Sequence, residues 1–168
     1  DSEVGKIALL LKQAKLSTDY RRVTVAARER KEICGEDSAA IELPDGTLIT
    51  SQTSDLLGQS AALILNATKH LAGIDHQEKL IPQEMIEPIQ KTKVSSLHGH
   101  NPRLHTDEVL VALSILSVTD PNCKEALEQL PLLEGCQMHS TSMLSEVDRK
   151  VFAKLGVGIK CDPVMHKR

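Results

Sequence analysis

The stretch of sequence that decides the fold is AAIELPDGTLITS, residues 39–51. Two short apolar segments flank the turn residues Pro44-Asp45-Gly46. Proline fixes its own φ, aspartate accepts a hydrogen bond from the backbone two residues on, and glycine tolerates a positive φ, so this order of residues suits a tight hairpin turn. The stretch therefore predicts a β-hairpin with strands over residues 39–43 and 47–51.

After the hairpin, helical periodicity alternates with short strand-like segments. Thr53-Ser54-Asp55 offers N-cap residues to an apolar helix that ends before Gly73, and Thr106 offers an N-cap to a helix with two acidic residues in its first turn. Further helices are predicted from Pro82 towards Leu97 with a kink at Pro88, from Pro121 to the region of Leu130, and from a capping motif at residues 145–148 to Gly156. Further strands are predicted within residues 135–144 and over residues 157–161. This alternation predicts an α/β fold, with a small mixed β-sheet flanked by helices.

The region before the hairpin has helical spacing only. Glu3 to Lys15 carries apolar residues three and four positions apart, and a second helix is predicted from Ser17 or Thr18 to the residue before Gly35. We therefore divide the chain into a helical N-terminal lead-in or linker, residues 1–35, and an α/β sandwich domain, residues 36–168. The chain begins at Asp1 without a methionine, so we expect it to be part of a longer polypeptide.

Composition excludes several classes of protein. The 168 residues include 40% hydrophobic and 26% charged residues, which is enough for one globular domain with its own core. The net charge of -3 argues against a nucleic-acid binder, which needs a clustered basic surface. Tyr20 and Phe152 are the only aromatic residues, so stacking platforms for bases or sugars are not expected.

Cysteine usage and hydropathy predict a cytoplasmic protein. The four cysteines form no C-x-x-C pair, so neither a zinc knuckle nor a disulfide framework is indicated. No apolar run approaches the length of roughly 20 residues that a membrane-spanning helix needs, and no signal peptide is recognisable. We therefore expect no membrane partner.

The segment HGHNPRLHTDE, residues 98–108, is the first candidate site. One interpretation is a metal site in which His100, His105 and Glu108 converge. A second is an anion-binding corner made by Arg103 and the free N–H groups of the helix that starts at Thr106, although the acidic residues of that first turn would repel an anion. A third is structural, a helix cap in which Arg103 pairs with a carboxylate.

The segment Met138-His139-Ser140-Thr141 is the second candidate site. It lies on or just after a predicted strand, at the edge of the sheet where ligands collect in α/β proteins. His139 could act as a base or a ligand, and the alternative is a strand histidine with a hydrogen-bonded serine. No G-x-S-x-G, G-x-G-x-x-G or Walker motif is present, so neither a serine hydrolase nor nucleotide binding is indicated.

Several ordered blocks of sequence resemble one family. They are TSDLLG (53–58), NATKHLAGID (66–75), IEPIQ (86–90), NPRLHTDE (101–108), HST (139–141) and LG (155–156). The chain resembles the C-terminal part of the bacterial domain-of-unknown-function family DUF1846, most clearly from Ala39 to Asp162. The resemblance implies no activity, because the family is uncharacterised.

The resemblance implies three further features. It implies a preceding region that is missing here and that carries a glycine-rich, phosphate-binding type of stretch. It also implies a three-layer sandwich with a topology like that of cytidine deaminases, although the H-x-E and P-C-x-x-C zinc motifs are absent. The chain departs from the family pattern at His98 and His100, which weakens the metal interpretation.

Two functional hypotheses remain. In the first, the chain is the C-terminal domain of a cytosolic enzyme, or of a protein that binds an anionic or nucleotide ligand, with both candidate segments near one polar cleft. Its catalytic residues would be His105, His139 and Ser140, and its ligand-binding residues would be Arg103, Asp107, Glu108 and Thr141, with no metal and no assigned cofactor. In the second, the domain is a structural or oligomerisation module whose partner is the missing N-terminal region or another copy of the chain.

Overall fold

A four-stranded mixed sheet forms the centre of the fold in the computed structural model, which describes residues 22–165. Its strands are β1 (Ser38–Glu42), β2 (Leu48–Gln52), β3 (Gln137–Ser140) and β4 (Gly158–Cys161), in the order β2-β1-β3-β4. β1 is antiparallel to both β2 and β3, whereas β3 and β4 are parallel. The predicted mixed α/β class is confirmed.

The predicted hairpin is confirmed as β1 and β2. Glu42 pairs with Leu48 at the end of the ladder. The Asp45 carboxylate accepts a hydrogen bond from the Thr47 N–H at 3.0 Å, and Gly46 has a φ of 87°. Both features were expected from the turn sequence, because aspartate bonds to the backbone two residues on and glycine adopts a positive φ without steric cost.

One face of the sheet is covered by α1, residues 22–34. Its apolar contact within residues 22–165 is small, because the buried cluster on this face consists of Val23, Ala27 and Ala40, with Ala26 and Leu48 packed against it. Ionic contacts supplement it: Arg28 pairs with Asp162 at 2.7 Å. The described part of α1 agrees with the second predicted helix, whereas the helix predicted over Glu3 to Lys15 lies outside the described residues.

The opposite face carries the main core, built with α2 (Gln59–Leu71) and α6 (Glu146–Lys154). Alternate residues of a strand point to opposite faces, so Ala39 and Ile41 of β1 belong to this core whereas Ala40 belongs to the α1 side. Phe152 of α6 is fully buried here. α6 also makes the crossover between the parallel strands β3 and β4, a connection that parallel strands require.

A second core lies on the far side of α2. It is formed with α3 (Gln83–Lys91), α4 (Thr106–Leu116) and α5 (Pro121–Glu128). A π-helical turn, Thr92–Ser96, continues α3, and a 3-10 turn, Leu130–Leu133, follows α5. No helix within residues 22–165 is long and apolar enough to cross a membrane. The division at residue 35 and the deaminase-like topology stay predictions.

Candidate functional site

A cleft of about 670 Å³ lies between three ends of secondary structure. Its first wall consists of Gly58 and Gln59 at the start of α2 and of residues 100–105, the loop before α4. Its second wall consists of residues 143–145 before α6, together with Asp148 and Met165. Two of the predicted site residues, Arg103 and His105, therefore line one cleft.

Backbone pairing holds Arg103 at the cleft. The Leu104 N–H donates to the Leu56 carbonyl at 3.0 Å, and the Gly58 N–H donates to the Leu104 carbonyl at 3.3 Å. Beside this pair, the Arg103 Nε donates to the Ser54 carbonyl at 2.6 Å. This bond uses one of the five guanidinium N–H groups, and within residues 22–165 no carboxylate forms a salt bridge with Arg103. The structural interpretation of Arg103 as a partner for a capping carboxylate is therefore not supported.

Two carboxylates occupy the N-terminus of α4. Glu108 Oε1 accepts from the His105 N–H at 2.8 Å and from the Lys93 Nζ at 2.7 Å. Asp148 Oδ1 accepts from both the N–H and the hydroxyl of Thr106, at 3.0 and 2.7 Å. The prediction that Thr106 is the N-cap is wrong, because His105 takes that position and Thr106 is the first helical residue. The anion-binding corner predicted at this helix end is already filled by the protein's own carboxylates.

The N-terminus of α2 has no such carboxylate. Its N-cap is Gly58, which has no side chain to accept a hydrogen bond, and its first turn contains no acidic residue. The prediction of an N-cap at residues 53–55 is wrong. Ser54 instead accepts hydrogen bonds from the Leu56 and Leu57 N–H groups, both at 3.2 Å, so it caps a turn that precedes the helix.

His105 and Asp148 link the two walls of the cleft. Nδ1 of His105 lies 3.7 Å from Oδ2 of Asp148. Attraction to this carboxylate raises the pKa of His105, although partial burial opposes the effect. Burial by itself would raise the pKa of Asp148, but the nearby His105 imidazole and the hydrogen bonds from Thr106 outweigh it and hold that pKa below its ordinary value.

Ser140 does not line the cleft itself but is hydrogen-bonded to Gln59, which does. The Gln59 side-chain amide, which lines the cleft, donates to the Ser140 hydroxyl at 3.2 Å and to the Ser142 hydroxyl at 2.8 Å. Oε1 of the Gln59 side chain accepts from the Thr53 hydroxyl at 2.9 Å. The network is buried and fixes the orientation of Gln59, a residue that the sequence analysis did not single out.

His139 lies on the other face of the sheet, under α1. Its Nδ1 is 3.0 Å from the Thr24 hydroxyl oxygen and its Nε2 is 3.0 Å from Asp162 Oδ1. Burial lowers the pKa of His139 despite the nearby carboxylate. The structure therefore does not bring His139 to the cleft, because neighbouring residues of β3 point to opposite faces.

The other predicted binding residues also lie away from the cleft. Asp107 accepts from the Glu108 N–H at 2.9 Å, and Thr141 accepts from the Ser38 N–H at 2.9 Å. Glu108 contacts Lys93, as described above. In the part of the chain that the structure describes, no group of three histidine, cysteine or acidic side chains is placed to hold a metal ion, so His100, His105 and Glu108 do not converge as the metal interpretation required.

A family model and the curated relatives of this chain indicate the same family. The family model described as "Domain of unknown function DUF1846, C-terminal" matches residues 19–168. A UPF0371 protein of Corynebacterium urealyticum is 47% identical over 163 residues, which is 97% of this chain and 33% of the relative. A UPF0371 protein of Streptococcus pyogenes serotype M5 is 45% identical over 164 residues, which is 98% of this chain and 33% of the relative. The chain thus spans about a third of the length of the curated relatives it matches.

Proposed function

The chain belongs to the family described as domain of unknown function DUF1846, C-terminal, and we propose that it is a ligand-binding domain that holds an anionic small molecule in the cleft beside Arg103. The observation that carries the proposal is that the uncapped N-terminus of α2 and Arg103 line the same cleft. The start of a helix carries partial positive charge and free N–H groups, and a guanidinium binds phosphate or carboxylate oxygens in a bidentate manner.

The proposed roles follow from the distance of each residue to this cleft. Arg103 binds the anion, and His105 is the residue placed to add positive charge or to transfer a proton. Ser140 acts through Gln59, to which it is hydrogen-bonded. Asp107, Glu108 and Thr141 support the elements that form the walls, since each accepts a backbone N–H. His139 is assigned no contact with this ligand.

The nature of the ligand and the cellular location are part of the same proposal. The net charge of -3 favours a small anion over a nucleic acid. The four cysteines are unpaired, which is typical of proteins in a reducing compartment and supports the cytoplasm as the location. Whether the longer protein is an enzyme depends on its other region, and we propose that this cleft supplies the anion-binding part of its site.

Titration calorimetry with inorganic phosphate, pyrophosphate and adenosine monophosphate tests the proposal. We expect at least one of them to bind the native chain, and Arg103→Ala to weaken that binding by tenfold to a hundredfold, the loss typical of a charge-assisted hydrogen bond. Arg149→Ala is the matched control, because Arg149 is exposed on α6 and does not line the cleft. Equal losses in the two variants, or no binding of any probe, would contradict the proposal.

A second candidate function is supported by the outer face of α4. Val111 and Ile115 lie four positions apart on α4 and are 61% and 67% exposed, and Val118, in the turn after α4, is 83% exposed. Large apolar side chains that lie together on an exposed surface commonly mark a contact with another part of a protein. Since the relatives are about three times as long as this chain, we propose that this face packs against the remaining region of the longer polypeptide.

Denaturation of two lengths of protein tests the second candidate. We expect Val111→Asp combined with Ile115→Asp to leave the stability of this chain nearly unchanged, but to destabilise the longer polypeptide. Light scattering separates the alternative partner: a dimer of this chain that the double variant dissociates would assign the face to a second copy instead. Equal stability changes in the two lengths would contradict packing against the remaining region.

A further inference from the structure

The two walls of the cleft differ in chemistry. The first wall presents polar groups, namely the N-terminus of α2, the guanidinium of Arg103 and the imidazole of His105. The second wall presents Met143 and Met165, which are 40% and 80% exposed. The second wall also includes Ser145 and Asp148, but an anion alone would leave both methionine side chains without an apolar partner.

The second wall is held in place by its own backbone contacts. The Met143 N–H donates to the carbonyl of Val164, the neighbour of Met165, at 2.7 Å, which holds these two segments close in space. Leu144 is buried beneath this wall and packs in the main core. The hydrogen bond to Val164 and the burial of Leu144 thus hold the two segments that carry Met143 and Met165 next to each other.

Methionine is an infrequent residue in this chain, and half of its methionines lie at this cleft. The sequence contains four methionines, and two of them line this cleft. Methionine side chains are unbranched and polarizable, so they adapt to apolar ligands of varied shape. Exposed apolar side chains of this kind at the edge of a cleft commonly mark a binding surface.

The cleft lining within residues 22–165 contains no carboxylate without a hydrogen-bond partner. Asp148 is the one acidic residue among these described lining residues. Its Oδ1 accepts two hydrogen bonds from Thr106, and its Oδ2 faces His105. The bonds from Thr106 and the neighbouring His105 thus occupy both oxygens of the Asp148 carboxylate, and Arg103 carries the positive charge of the first wall.

We infer that the ligand is amphipathic, a phosphate monoester whose apolar body lies against Met143 and Met165 while its phosphate binds between Arg103 and the start of α2. This inference rests on the proposed anion site and adds the class of the bound molecule. The apolar body contributes affinity because its transfer from water to the methionine wall removes apolar surface from solvent.

Three phosphate probes test the inference: inorganic phosphate, and the two monoesters glycerol 1-phosphate and hexyl phosphate, which match each other in charge, each titrated calorimetrically into the native chain. We expect hexyl phosphate to bind about tenfold more tightly than glycerol 1-phosphate, because only the hexyl chain buries apolar surface. We expect Met143→Ser combined with Met165→Ser to reduce this preference to less than threefold while the affinity for inorganic phosphate is kept. Met85→Ser is the matched control, since Met85 is 49% exposed on α3 and does not line the cleft.

The outcomes separate this inference from the proposed function. If all three probes bind equally and Arg103→Ala weakens them all, the anion site stands and the amphipathic ligand is excluded. A preference for hexyl phosphate that survives the double methionine substitution would also overturn the inference, since the apolar contact would then lie elsewhere. Failure of every probe to bind would remove both.

Discussion

The N-termini of α2 and α4 lie beside the same cleft. They differ in whether carboxylates accept hydrogen bonds from their backbone N–H groups and balance the positive end of the helix dipole. At α4, Glu108 accepts the His105 N–H and Asp148 accepts the Thr106 N–H. At α2, the N-cap is a glycine and no acidic residue lies in the first turn. The comparison shows that an arginine and a histidine before a helix do not by themselves mark an anion site at that helix.

The source of the difference lies far away in the sequence. Asp148 is 42 residues from Thr106 along the chain and reaches it only through the fold. Glu108, by contrast, is within the first turn of α4 and is visible in the sequence. Where carboxylates of the protein accept the N–H groups at the start of a helix, these groups stabilise the fold. Where no carboxylate does so, the N–H groups and their partial positive charge are available to an anionic ligand.

The largest effect is expected from removing the carboxylate at α4. Asp148→Ala leaves the buried N–H and hydroxyl of Thr106 without an acceptor, and we expect it to lower the free energy of unfolding by about 2–3 kcal/mol. Asp148→Asn keeps one acceptor oxygen and is expected to cost about half as much. Urea denaturation measures both, and a loss below about 0.5 kcal/mol for Asp148→Ala would show that the α4 end does not depend on this residue.

Adding a carboxylate at α2 makes the two helix ends alike. We expect Gly58→Asp to keep or slightly raise stability, by a few tenths of a kcal/mol, while it weakens phosphate binding at least tenfold, because the new side chain takes the place of the anion. The position accepts a side chain, since an added Cβ would lie 4.0 Å from the Leu104 carbonyl oxygen. Gly58→Asn is the neutral control, and equal binding losses in both variants would point to steric exclusion rather than charge.

The pH dependence of anion binding tests the contribution of His105. Attraction to Asp148 raises the pKa of His105, while Lys93 opposes and Glu108 supports this shift. Binding of sulfate, which does not titrate in this range, is expected to be strongest below about pH 6.5 and to weaken several-fold as the pH rises through the raised pKa. His105→Gln in a His100→Asn background should give a flat profile, and a profile that is unchanged in this variant would assign the titration to another group.

The smallest loss of stability is expected when the hydroxyl groups of Ser60 and Thr106, in the first turns of α2 and α4, are removed. Ser60 in α2 is buried, and its hydroxyl has no hydrogen-bond partner within residues 22–165. Thr106 in α4 donates its hydroxyl to Asp148. Ser60→Ala is therefore expected to change the free energy of unfolding by less than about 0.5 kcal/mol, whereas Thr106→Val is expected to cost about 1–2 kcal/mol. Similar losses in the two variants would contradict the contrast between the helix ends.

Local sequence patterns were sufficient for most of the fold. The turn residues 44–46 specified the hairpin, and glycines at the helix ends agree with the structure, as at Gly73, where φ is 69°. Helix starts were less predictable. Residues 53–55 and Thr106 are good N-cap residues, but Ser54 caps a preceding turn and Thr106 binds a carboxylate from α6.

The site was only partly predictable for a related reason. Arg103 and His105 were visible because they are polar residues in a loop before a helix. Gly58 and Met165 join them only through the packing of α2 and of the segment after β4, which no local pattern reveals. His139 was misplaced relative to the cleft because the sequence indicated a strand but not which face its alternate residues would occupy.

The small apolar contact between α1 and the sheet suggests that α1 unfolds locally before the rest of the domain. Among residues 22–165, the buried cluster beneath this helix contains no side chain larger than valine, so α1 is expected to exchange its amide hydrogens through a local opening of lower free energy than that of α2. Such an opening exposes His139, whose pKa burial holds below its ordinary value, and the freed imidazole takes up a proton below about pH 6.5. Mild acid is therefore expected to favour release of α1 from the sheet.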